Sequence, residues 1–106
     1  MKTISSHIID FLEYMEIEKG RTVQSAKNYD RYLQKFAHFA KKEGVETPDK
    51  IDLELVKKFR LSMNRVKNPI SKATQNYYLI ALRSFLKFLG KKNIPSLTPE
   101  KIELAK

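Results

Sequence analysis

The chain has 106 residues, of which 42% are apolar and 11 are Phe or Tyr, enough for one domain with a core of its own. It contains no Cys, which excludes disulfide scaffolds and thiolate chemistry. Its formal net charge is +9, and residues 55–98 hold ten Lys and Arg and no acid, a bias that favours a polyanionic partner.

Four helices and no strand are predicted, an all-α fold. The first covers residues 6–18, with Ser5 or Ser6 as its cap. Ile8, Leu12 and Met15 follow helical spacing with Ile9 beside them, while Asp10, Glu13 and Glu16 lie opposite. Lys19-Gly20 ends it. Asp10 comes too early for a signal peptide, and no apolar run approaches the roughly 18 residues of a membrane span. The expectation is a cytoplasmic protein without a membrane partner.

The second helix starts at a Thr22 cap and runs to about residue 43, with Gly44 as terminator. Tyr29, Leu33, Phe36 and Ala40 form its apolar stripe; Lys27, Arg31, Lys35, His38 and Lys42 face away. Residues 45–51 read as a loop. A third helix follows an Asp52 cap to about Asn64, with Val56, Phe59 and Met63 inward. Pro69 keeps Asn68 out of helix. Ser71 then caps a fourth, which runs to about Leu89 and stops at Gly90. Its stripe is Tyr78, Leu82, Phe85 and Leu89; the block YYLIAL, Ile80 included, predicts the most enclosed helix of the four. Beyond Asn93, Thr98-Pro99-Glu100 has the form of a cap, a first-position proline and the first turn of another helix. The expected division is therefore residues 1–94 as the helical domain and 95–106 as a linker and helix start, with more polypeptide to follow.

TVQSAKNYDRYLQKFAHF and SKATQNYYLIALRSFLKFL, starting at Thr22 and Ser71, share a skeleton. Thr22 falls on Ser71, Ser25 on Thr74, Tyr29 on Tyr78, Leu33 on Leu82, Phe36 on Phe85 and Phe39 on Phe88. Two helix pairs result, each ending in the longer helix, which together make two crossed helical hairpins. Duplication and convergence on one packing geometry both explain the repeat.

Each copy opens with two hydroxyls three residues apart, where a capping box would place Glu or Gln second. A hydroxyl there donates to a phosphate that a carboxylate would repel. The free N–H groups of a first turn suit the same ligand. Arg21, Gln24, Lys27 and Asn28 crowd one turn; Lys72, Gln75, Asn76 and Tyr77 crowd the other. Such donors suit phosphate oxygens and adenine edges. The plain alternative is that the hydroxyls only cap and pack.

The pattern T-x-x-S-x-x-x-Y-x-x-x-L-x-x-F in the second helix, with SKAT and LxALRxFxKFL in the fourth, resembles the N-terminal core-binding domain of tyrosine recombinases, the phage integrase and Xer-type enzymes. The likeness spans nearly the whole chain, and the fourth-helix string is its most specific part. It implies a four-helix SAM-like domain that clamps duplex DNA at a recombination half-site. The second and fourth helices meet the major groove, with other recombinase subunits on the same DNA. The resemblance also implies a separate catalytic domain of the same chain, absent here, that holds the nucleophilic Tyr, the Arg pair and the His-x-x-Arg motif. Ser25 and Thr74 match hydroxyl positions of the family; Tyr77 stands where many members carry a base. Asp30 does too and is left out, since it would repel phosphate.

The candidate DNA-contact set is Arg21, Gln24, Ser25, Lys27, Asn28 and Arg31 with Lys72, Thr74, Gln75, Asn76, Tyr77 and Arg83. Two His on different helices give no metal spacing, and three Gly give no phosphate loop, so no metal, cofactor or catalytic residue is expected. The fragment alone is expected to be a monomer. A helical protein-interaction module, or a stand-alone helix-turn-helix regulator with Lys19-Gly20-Arg21 as its turn, stays open beside this reading.

Overall fold

The computed structural model describes residues 2–104. Four helices form: α1 (Ile4–Ile17), α2 (Val23–Lys42), α3 (Leu53–Asn64) and α4 (Lys72–Lys91). Pro48–Lys50 and Pro99–Lys101 are single 3-10 turns, and there is no strand among the described residues. The all-α expectation holds.

Side-chain caps set the helix starts. Thr22 Oγ1 accepts from the Ser25 N–H at 3.1 Å, Asp52 Oδ1 from the Leu55 N–H at 2.8 Å, and Ser71 Oγ from the Thr74 N–H at 3.3 Å. The first helix differs from expectation. Thr3, not Ser5 or Ser6, is its cap and accepts from the Ser6 N–H at 3.1 Å. The extra length is tertiary in origin: Ile4 is buried, and its N–H donates to the Glu46 carbonyl at 2.8 Å. Gly20 and Gly44 take positive φ after α1 and α2, as terminators should. Gly90 does not; α4 runs through it, and Asn93 supplies the left-handed residue at φ 59 instead. Where another helix was expected to begin, Pro99–Lys101 form one 3-10 turn, and residues 102–104 leave helix.

The core is aromatic at its centre. Phe36 meets Phe59 edge to face at 5.2 Å, and Phe11 meets Phe85 at 5.7 Å. Phe11 lies outside the predicted stripe of the first helix, whereas Ile9 is exposed and Leu12 is half-buried. The inward face of α1 is Ile4, Ile8, Phe11 and Met15. Tyr29 and Tyr78 pack against the core half-buried; neither fills it. Helix α4 is the most enclosed, with eight buried residues to five on α2, yet Ile80 points outward.

α1 packs chiefly on α2, and α2 lies against both α3 and α4. The chain after Asn93 folds back along the domain. Ile102 is buried, Ile94, Leu97 and Leu104 pack against the core, and Arg60 donates to the Glu103 carbonyl at 2.8 Å.

Candidate nucleic-acid interface

α2 and α4 meet at three tyrosines. The Tyr32 ring stacks on Tyr77 at 6.5 Å and 13°, and meets Tyr78 edge-on at 4.8 Å. The Arg31 guanidinium sits 5.2 Å from the Tyr32 ring centre, and Lys35 Nζ sits 5.4 Å from that of Tyr78. Tyr77 is 56% exposed. The outward faces of the two helices are thereby joined into one surface, with cation and aromatic alternating across the seam.

Helix geometry fixes what that surface carries. At 100° per residue, Lys72, Asn76, Arg83 and Lys87 fall within about 60° of one another on α4, with Ile80 just beside them. On α2, Lys27, Arg31 and Lys35 line the matching face, and Gln24 donates to Asn28 Oδ1 at 3.2 Å alongside them. Two acid–base ion pairs occur among the described residues, Lys2 with Asp10 and Lys58 with Glu43. Neither uses a cation of this surface.

The two hydroxyl-bearing turns are not brought together. Arg21, before α2, lies in a hollow with Ser84, Lys87 and Lys91 of α4. Lys72 and Gln75, at the start of α4, lie in a different hollow against α3. The seam between the helices is Tyr32 and Tyr77, so the surface is continuous through its middle. Gln75 is a correction to the candidate set. It is 6% exposed, and its Nε2 donates to Asn64 Oδ1 at 2.8 Å and to the Ile70 carbonyl at 2.6 Å. It ties the residue 64–70 loop to α4 and has no donor left for a base. Arg21, Gln24, Lys27, Arg31, Lys72 and Tyr77 are exposed; Ser25, Asn28, Thr74, Asn76 and Arg83 are half-buried.

The hydroxyl pair also occurs a third time. Thr3 Oγ1 donates to Ser6 Oγ at 3.2 Å, as Ser71 Oγ donates to Thr74 Oγ1 at 3.1 Å. No Lys, Arg, Asn or Gln stands in the first turn of α1. The pair is thus a capping device in itself; what sets α2 and α4 apart is the basic and amide residues around it. Sequence reasoning missed Tyr32 and Lys87 as members of the surface. Lys87 was findable four residues after Arg83; Tyr32 was not, since its role depends on α4.

The family described as "Phage integrase, N-terminal SAM-like domain" matches residues 8–93. The chain belongs to this family. It is 27% identical over 101 residues to tyrosine recombinase XerC of Escherichia coli O1:K1, and 26% identical over 101 residues to XerC of Escherichia coli K12. Each alignment takes in 95% of this chain and 33% of the relative, so the chain spans about a third of the length of these recombinases. Its fold matches the crystal structure of the N-terminal domain of a phage integrase/site-specific recombinase from Haloarcula marismortui. That match has a TM-score of 0.85 and 15% identity and covers 98% and 97% of the two chains. The chain thus has the family and the fold of an N-terminal SAM-like domain. No helix among its described residues is long and apolar enough to cross a membrane.

Proposed function

We propose that this domain holds duplex DNA at a recombination half-site, with the joined outward faces of α2 and α4 against the duplex. The observation that carries the reading is the seam: an exposed Tyr77 stacked on Tyr32, flanked by Arg31 on one side and by the basic face of α4 on the other. Lys27, Arg31, Lys72 and Arg83 supply phosphate contacts; Asn28 and Asn76 supply amides that suit base edges. Ser25 and Thr74 donate to phosphate from the first turns. Strand cleavage and joining belong to a catalytic domain elsewhere in the full-length recombinase, which works in the cytoplasm on chromosomal or element DNA. Residues 1–94 act as the clamp, and 95–106 lead toward that domain.

Gel-shift titration at two salt concentrations tests this. Binding on the order of 10⁻⁴ to 10⁻⁶ M at physiological salt, weakening as salt rises, is expected of phosphate-dominated contacts. No covalent protein–DNA adduct should form. Salt-independent binding, or none, would defeat the reading.

A protein contact is favoured elsewhere, on α1. Ile9 and Ile17 are 58% and 78% exposed beside Glu13 and Glu16, a mixed apolar and acidic face suited to a neighbouring recombinase subunit. The domain free of DNA is a monomer on this reading. Sedimentation with DNA carrying two half-sites, using Ile9→Ser with Ile17→Ser, checks it: the variant should lose cooperative loading but keep single-site binding.

A further inference from the structure

A pocket of about 230 Å³ opens where the α1–α2 turn meets the C-terminal half of α4. Its floor is aromatic: Phe88 lies 5.1 Å from Tyr14, and Tyr29 lies 6.2 Å from Phe11, ring centre to ring centre. Its rim is cationic. Lys19 and Arg21 come from the turn, Lys87 and Lys91 from α4, and no Asp or Glu lines it. None of the four is ion-paired among the described residues. Lys91 donates to the Tyr14 hydroxyl at 3.1 Å with its ammonium 5.4 Å from the ring centre. That hydrogen bond, with the charge of Lys19 nearby, draws the Tyr14 phenol below its ordinary range.

Four like charges around one hollow repel unless an anion sits among them. The volume is smaller than the roughly 300–1,000 Å³ of small-molecule sites, which argues against a large ligand. A sugar-phosphate satisfies both walls: its C–H face against the rings, its anionic oxygens against ammonium and guanidinium groups. Ser84 and Lys87 line the pocket and also belong to the outward side of α4, so a strand lying on that helix passes the opening.

We infer that this pocket seats one deoxyribose-phosphate of the bound duplex, so that the footprint extends along α4 from Lys72 to Lys91. The inference rests on the DNA-binding reading above. Nineteen residues of helix rise about 28 Å, or about eight base pairs at 3.4 Å each.

The test titrates duplex DNA on the 106-residue chain across a salt series, comparing wild type, Lys72→Ala and the double variant Lys19→Gln with Lys91→Gln. Both lysines are exposed, and circular dichroism checks that the fold is kept. The double variant should lower the slope of log affinity against log salt by about 2, and Lys72→Ala by about 1. Tyr14→Phe, which keeps the ring and loses only the hydroxyl, should leave the slope of wild type nearly intact. An unchanged slope in the double variant, with Lys72→Ala still reduced, overturns the pocket assignment and leaves the DNA reading standing. Titrations with dAMP and with hexaglutamate form two further arms. Tight uptake of either by wild type, with the DNA slope of the double variant unchanged, overturns the assignment in favour of a free nucleotide or an acidic peptide. If wild type itself shows no salt-dependent DNA binding, the DNA reading fails and the pocket inference with it.

Discussion

Gln75 and Asn76 are neighbours with opposite surroundings. Gln75 is buried and spends both amide hydrogens inside the domain, whereas Asn76 lies on the outward face of α4 with Lys72 and Arg83. Gln75→Ala should therefore cost about 1–3 kcal/mol in urea unfolding, because Asn64 and Ile70 lose their buried donor. Asn76→Ala should cost less than Gln75→Ala and instead alter sequence preference in DNA titrations. Periodicity places Asn76 outward but could not assign Gln75, since the loop that claims it comes from tertiary structure. His7 is a second case. It is buried, and its Nδ1 has no hydrogen-bond partner among the described residues. Burial lowers its pKa below 6.5, helped by Lys2 and opposed by Asp10. The folded state thus favours neutral imidazole and binds fewer protons than the unfolded chain. Its contribution to stability is present above pH 6.5 and is lost as pH falls below that value. Unfolding measured at about pH 7.5 and about pH 5.5 should show the loss, and His7→Leu should flatten it.

At the scale of elements, the helices were legible wherever a local signal sufficed. The Asp52 cap and both ends of α3 stand as the sequence implies, because one carboxylate, the Leu55 N–H and a three-residue stripe decide them. The ends that slipped were set from a distance: Ile4 is drawn into helix by its burial and by Glu46, and α4 continues past Gly90 until Asn93 turns it. The stripes slipped by one ring for the same kind of reason. Phe36 and Phe85 are enclosed on all sides, but Tyr29 and Tyr78 stand at the rim, where a hydroxyl can reach solvent. Phe85→Ala should cost about 3–5 kcal/mol, and Tyr78→Ala clearly less, about 2 kcal/mol, in thermal melts. The three hydroxyl pairs offer an internal control. Thr3→Ala, Thr22→Ala and Ser71→Ala should each cost about 1 kcal/mol as lost caps. Among the pairs, only those of α2 and α4 should touch DNA: Ser25→Ala and Thr74→Ala weaken binding, while Ser6→Ala does not. Equal behaviour of all three would reduce the pairs to capping.

The whole molecule depends on contacts that no local window contains. Residues 95–104 carry two prolines and a single 3-10 turn, and their sequence suggests a linker. In the folded chain they also pack on the domain. Ile102 is 2% exposed within the same core as Phe85 and Phe59, and Arg60 grips the following carbonyl from α3. The 3-10 turn at Pro99–Lys101 packs on α4, and Pro99 and Glu100 share a hollow with Ile80 and Ser84 at the edge of its outward face. A residue so enclosed contributes as a core residue does, whatever the propensity of its segment. Ile102→Ala should then cost about 2–5 kcal/mol. Arg60→Ala, which leaves an exposed carbonyl free to take water, should cost much less, about 0.5–1.5 kcal/mol. Deleting residues 95–106 removes Ile102, Leu97 and Leu104 together. Against a typical total of about 5–15 kcal/mol, that loss should leave the four helices only marginally folded. Urea midpoints for the two variants and the deletion check the order. A deletion as stable as the full chain would show that the segment is a tether after all, and that the four helices close their own core without it.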